Sequence, residues 1–190
     1  MIEIGTISET IYFLLSKIGP TDKLKLVKLI YFADKYHVIK YGRTITNDEY
    51  WAMDHGPVGS NVKDVLEFND FTMSKSERKF ASKLIYKISK NRFKKNDLKK
   101  PYSYNYLSKT DIEALNFVIL KFGNMSTWSI RDYSHTYPEW AQYEEMFKNN
   151  EIRREKIQTS DLISVIHNDQ YFPFKESDIE EAKDIFCGNY

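Results

Sequence analysis

Between Lys23 and Gly42 the chain carries Leu24, Leu26, Val27, Leu29, Ile30, Tyr31, Phe32 and Ala33, followed by Tyr36-His37-Val38, and these apolar side chains fall on every side of a helix. A surface helix shows one apolar stripe with polar residues opposite. A helix that is apolar all round belongs in the middle of a core, with the rest of the chain wrapped about it. Lys25, Lys28, Asp34, Lys35 and His37 interrupt that run and are therefore the side chains to question.

The remaining composition suits such a fold. A chain of 190 residues supports one domain with a proper core. Aromatic residues make up 15%, whereas Gly (7) and Pro (5) are scarce, which favours long elements, mostly helices. No apolar run approaches the roughly 20 residues of a membrane span, and no basic region followed by an apolar stretch marks a signal peptide, so a cytoplasmic location is expected. The single cysteine, Cys187, allows no internal disulfide and has no neighbouring His or Lys to activate it. The formal net charge of +1 hides an uneven distribution. Lys75 to Lys100 holds eleven Lys or Arg against two acids, and Glu139 to Asp184 holds twelve acids against six bases. The two regions either attract each other or face different partners.

Ile4, Ile7, Ile11, Leu14, Leu15 and Ile18 repeat at helical spacing and stop at Gly19-Pro20. Thr21 or Asp22 caps the central helix and Gly42 ends it in a left-handed conformation. Glu49 to Met53 reads as a short strand, His55-Gly56-Pro57 as a turn, and Ser60 as the cap of a helix through Phe68. A short helix follows Ser74, and Leu84 to Lys94 forms a hairpin turning at Asn91-Arg92. Tyr102, Tyr104 and Tyr106 alternate, which places three rings on one face if the segment is extended. Ser108-Lys109-Thr110-Asp111 caps an amphipathic helix that stops at Gly123. Ser126 caps a helix carrying Trp128, another runs from Pro138 to Phe147, and Ser177-Asp178-Ile179-Glu180 opens a last one up to Phe186.

Chemistry is harder to find. Asp34 and His37 share a helix face, with His55 and His135 elsewhere, but no HExxH or CxxC pattern completes a metal site; hydrogen bonding to backbone or neighbours explains the pair more simply. There is no G-x-S-x-G elbow, no cysteine in a catalytic context and no glycine-rich phosphate loop. We expect no enzyme activity, no cofactor and no metal. The basic run from Lys75 to Lys100, with Tyr86 and Phe93 interleaved, suits nucleic acid through phosphate contacts and base stacking, or an acidic protein partner.

Three stretches together resemble a known family. They are Lys25 to His37, then Tyr41-Gly42-Arg43-Thr44-Ile45-Thr46-Asn47-Asp48-Glu49-Tyr50, then Ala52-Met53-Asp54-His55-Gly56-Pro57-Val58. Leu107-Ser108, Asp111-Ile112-Glu113, Met125-Ser126-Thr127-Trp128, Ser134-His135 and Pro138-Glu139-Trp140 continue the pattern. In this order they are similar to the Panacea, or SocA-like, antitoxin domain, and to phage-associated proteins of the GepA type. The resemblance implies a cytoplasmic bacterial or prophage protein that neutralises a cognate protein toxin by binding it directly, in one branch as an adaptor delivering the toxin to a protease. A homo-oligomer stays open.

The sequence reading is thus a mainly α domain with a small antiparallel β-sheet (α+β), a multi-helix fold around a buried central helix. One domain spans 1–190, with a Panacea-like core at 7–140, a basic variable segment at 75–100 and a C-terminal helical extension at 148–190. Tyr50, Met53, His55, Gly56 and Pro57 are the candidate partner-binding strand and turn, presented at an exposed edge, with Lys94, Lys95, Lys99 and Lys100 beside them; packing of Tyr50, Trp51 and Met53 in the core, with Gly56-Pro57 only turning the chain, is the alternative. A nucleic-acid-binding regulator of a phage or prophage is the runner-up function.

Overall fold

The computed structural model describes residues 4–188. Helix α1 (Ile4–Ile18) ends at Gly19, whose φ of 76° is a left-handed conformation that costs glycine little. Helix α2 (Lys23–Tyr41) starts where the Asp22 side chain accepts the Lys25 N–H, and stops at Gly42, also left-handed, whose N–H returns to the Val38 carbonyl. Every residue from Leu26 to Ile39 is buried. The helix is packed by α1, by α3 (Ser60–Glu67), α5 (Lys109–Phe122), α6 (Thr127–His135) and α9 (Glu176–Cys187). Aromatic stacking seals the α2–α5 seam, Phe32 on Phe122 at 4.7 Å between centroids and Tyr36 on Phe117 at 4.3 Å. The protein is mainly α, with two small antiparallel sheets. Among the described residues no helix is long and apolar enough to cross a membrane.

One sheet has the order β3-β2-β6, from Tyr50–Met53 (β2), Gly56–Gly59 (β3) and Arg154–Ile157 (β6). This corrects the expected exposed edge. β2 is the central strand, and Gly56 and Pro57 are paired in β3, opposite Met53 and Ala52. The turn is Asp54-His55. The covering strand comes from the region read as a helical extension, which also sends Ile157, Leu162, Ile163 and Phe172 into the core. Phe172 lies 5.7 Å from Phe32 between ring centroids. No periodicity marks these residues, because a four-residue strand and a 3-10 turn at Thr159–Leu162 bury alternate or single side chains.

The other sheet, β1-β5-β4, joins Thr21–Asp22 (β1) to a hairpin of Ile85–Ser89 (β4) and Arg92–Lys95 (β5), which turns at Lys90-Asn91 after helix α4 (Lys75–Leu84). The helix expected from Pro138 to Phe147 is broken into α7 (Pro138–Ala141) and α8 (Glu144–Lys148), and the break allows Phe147 to stack on Trp140 with planes 8° apart. The Tyr102 to Tyr106 segment is irregular. Its backbone and Tyr102 hydroxyl are held by the fully buried Glu9 carboxylate, which accepts from Tyr102, Asn105 and Tyr106. Tyr102 and Tyr104 cover α1, whereas Tyr106 is half exposed.

Candidate functional site

The polar side chains of α2 all reach segments distant in sequence. Lys25 donates to the carbonyls of Gly123 and Met125, both at 2.7 Å, and so fixes the turn between α5 and α6. Asp34 accepts from the Ile45 and Thr46 N–H groups, the Thr46 hydroxyl and the Tyr50 hydroxyl. Burial pushes its carboxyl up to about 6, and these four donors act in the opposite direction. Lys35 donates to Glu139 at 2.9 Å, to the Leu162 carbonyl and to the Ser164 hydroxyl, while Tyr31 donates to the same Glu139 oxygen. His37 places Nδ1 2.7 Å from the Arg43 carbonyl and Nε2 against Thr110 and Asp111. Both ring nitrogens of His37 and both carboxylate oxygens of Asp34 are thus engaged by protein groups. Among the described residues no three His, Cys, Asp or Glu side chains converge as metal ligands would.

Lys28 differs from the others. Its ammonium position is fully buried and donates to the Pro57 carbonyl at 2.7 Å, and among the described residues it forms no ion pair with a carboxylate. Burial drives the amine well below its ordinary pKa, and the Arg131 charge adds to that shift. From the other side Trp140 Nε1 donates to the Met53 carbonyl at 2.7 Å. Between them the His135 ring is stacked on Trp140 at 3.5 Å and touches the His55 backbone; burial, then Lys28 and Arg131, push its pKa down to about 4. The Asp54-His55 turn is therefore gripped through the flanking carbonyls of Pro57 and Met53 by Lys28 of α2 and Trp140 of α7, with His135 of α6 against the His55 backbone. Gly56 makes the grip possible. With φ of 89°, it sits so close that a Cβ there would lie 2.5 Å from Lys28 Nζ and 2.7 Å from the Ser134 hydroxyl.

The outer side of this turn lines a groove of about 650 Å³. Leu24, Val27, Met53 and Val58 provide its apolar surface, and Trp128, 58% exposed, stands at one end with the His55 ring 6.2 Å away. Asp22, Asp54, Lys23, Lys63 and Arg153 place both signs of charge around it. The groove exists because three element ends meet. Asp22, which caps α2, also accepts the Thr127 hydroxyl at the start of α6, and the strand turn closes the third side.

Of the residues singled out from sequence, Met53 and His55 come together on this groove. Tyr50, 2% exposed, and the buried Gly56 and Pro57 lie behind it and hold its shape, which corrects their placement on an exposed edge. The four lysines lie elsewhere. Lys94 covers the Tyr86 ring at 5.1 Å on the hairpin, Lys95 is exposed on the same strand, and Lys99 and Lys100 line a separate hollow with Tyr102. Sequence reasoning passed over Trp128 as a site residue. Its signal was position: a large apolar residue two places after a capping serine lies in the first helical turn, where it projects from the helix end.

A family model described as antitoxin SocA-like, Panacea domain, matches residues 26–141. No curated protein and no solved structure matches the chain. The matched span includes Lys28, the Met53 to Val58 turn, Trp128, His135 and Trp140, the residues that build the gripped turn and most of the groove. Covering well over half of the 190 residues, it makes this chain a member of the SocA-like Panacea antitoxin family.

Proposed function

We propose that the protein neutralises a protein toxin by direct binding in the groove beside the Asp54-His55 turn, in the cytoplasm and without a chemical step. The observation that supports this most is the gripped turn. The two carbonyl contacts and the His135 packing fix a short strand pair so that Met53, Asp54, His55 and Val58 face outward in one arrangement, and a preorganised surface loses little entropy on binding. An exposed tryptophan beside an apolar floor, ringed by charges, has the make-up of an interface centre with its rim. The same surface serves occlusion of the toxin or its delivery to a protease.

The test is co-expression with the product of the neighbouring gene, scoring growth and then affinity of the purified pair. Trp128→Ala is expected to weaken binding by about 2 kcal/mol or more, roughly 30-fold, as for a central aromatic anchor. Since Trp128 is largely exposed, its thermal midpoint should stay near that of the parent. Charge reversal at Lys94, Lys95, Lys99 and Lys100 is expected to leave affinity within a few-fold. Wild-type affinity in both Trp128→Ala and Met53→Ala would remove the groove from the mechanism, and a harmless neighbour that forms no complex would remove direct neutralisation.

A further inference from the structure

The β4–β5 hairpin carries charge that the rest of the fold does not neutralise. It presents Lys87, Lys90, Arg92, Lys94 and Lys95 over eleven residues without an acid. Among the described residues none of these five reaches a carboxylate; the ion pairs lie elsewhere in the molecule. Lys87 and Lys94 instead rest over aromatic rings, Phe93 and Tyr86, and Arg92 approaches the Pro20 carbonyl. Five unpaired cations on so short an element repel one another, and an anionic ligand would relieve that repulsion.

Strand register decides what kind of anion fits. Lys87 pairs with Phe93 and Tyr86 with Lys94, so the two pairs lie on opposite faces of the ribbon. Phe93 is fully buried and fastens one face to the core. The other face is turned outward and carries Tyr86, half exposed, with Lys94 opposite it and Arg92 two residues away on the same side. A flat basic face with an accessible ring suits bases that are free to stack. The major groove of a duplex admits a two-stranded β-ribbon, but this one is fastened along the body of the protein by buried Phe93 and by pairing of β5 with β1, so it does not project into a groove. A protein partner would want an extended apolar centre, and Ile88, 45% exposed on β4, is the one aliphatic side chain beside Tyr86 among basic neighbours.

We infer that the outward face of the β4–β5 hairpin binds single-stranded nucleic acid, with Arg92 and Lys94 of that face and the exposed Lys90 at its turn on phosphates and Tyr86 stacked on a base. This activity uses side chains other than those of the toxin groove, which the hairpin borders through Asn91 at its turn. Binding of a labelled oligothymidylate of about 15 nucleotides, followed by fluorescence anisotropy on the full chain, tests it. Affinity should fall with salt with a log–log slope of about −2 to −4, as for three to five phosphate contacts on a single strand. Neutralising Lys90, Arg92 and Lys94 to Gln should make that slope shallower by about 2. Tyr86→Ala should weaken binding by about 5- to 150-fold, whereas Tyr86→Phe, which keeps the ring, should bind like the parent. Trp128→Ala should leave oligonucleotide affinity unchanged within about twofold, as a surface change outside the contact. Absence of saturable binding at low salt, tighter binding to a duplex of equal length, or an unaffected Tyr86→Ala with native circular dichroism would each overturn the assignment.

Discussion

Replacing Lys28 by Met probes the grip on the turn. Lys28 is fully buried with one acceptor, the Pro57 carbonyl, and with Arg131 as its charged neighbour. Its folded pKa is therefore depressed below that of the unfolded chain. In the window between the two values the unfolded state binds the extra proton, so stability rises with pH and the proton-linked penalty is fully felt below the folded pKa. One such proton contributes a slope of at most about 1.4 kcal/mol per pH unit. Lys35 and Lys25 are shifted in the same direction by burial, so Lys28→Met is expected to reduce the alkaline rise and not to abolish it. Against this, the Pro57 carbonyl loses its donor, which costs about 1–3 kcal/mol. The expected result is a variant destabilised by up to about 2 kcal/mol at pH 9, with the gap narrowing or reversing toward pH 7 as the penalty for the buried amine grows in the parent. Urea unfolding from about pH 7 to 9 stays well above the ordinary carboxylate range and about one unit below the ordinary tyrosine value. Buried Tyr31 and Tyr50, pushed up by burial, would reverse the sign above that range. An unchanged pH slope, or a loss that grows toward pH 7, would show that Lys28 is a stabilising charged group and refute the reasoning.

Lys35→Met leaves the Glu139 carboxylate buried with only hydroxyl donors, Tyr31 and Ser164, and should cost about 3–5 kcal/mol in denaturant unfolding. The double change Lys35→Met with Glu139→Met removes both charges and should recover most of that loss; a double variant no more stable than the single one would mean that the network, and not the stranded charge, carries the cost. Gly56→Ala places a methyl group in a left-handed conformation and 2.5 Å from Lys28 Nζ, so a loss of about 2–3 kcal/mol is expected by thermal unfolding. A near-neutral Gly56→Ala would mean that the grip beneath the turn is loose.

Much of the helical frame was legible because its signals are local. Apolar residues at every position from Leu26 to Ala33 except Lys28 point to a buried helix, Asp22, Ser74, Ser108 and Ser126 cap by accepting N–H groups three residues on, and Gly42 ends α2 through its left-handed backbone. The sheet order was not legible. β6 is four residues of Arg-Glu-Lys-Ile whose side chains are mostly exposed, so nothing in its composition separates it from a loop until β2 lies beside it. The same holds for the site. Lys25, Lys28, Asp34, Lys35 and His37 could be singled out as misfits on an apolar helix, but each bonds a segment at least six residues away, and Lys35 reaches Leu162. Their partners are set by tertiary packing, which no spacing rule encodes. Tyr50 was misplaced for a related reason: a tyrosine in a strand fits an exposed edge or a core equally well, and Asp34 decides between them by accepting its hydroxyl.

The use of backbone carbonyls in the grip has a consequence for binding. Trp140 and Lys28 hold the turn through the oxygens of Met53 and Pro57, which every residue type possesses. Apart from Gly56, the grip therefore places little demand on which side chains the turn presents. Asp54 and His55 have side chains 80% and 58% exposed and pair only weakly with each other, at 3.6 Å. Changes there alter what the groove meets while the scaffold below stays intact. If the groove binds a toxin as proposed, the polar residues inside α2 serve recognition indirectly. By tying distant loops to one buried helix they hold a surface steady, and the side chains on that surface remain free to suit a particular partner.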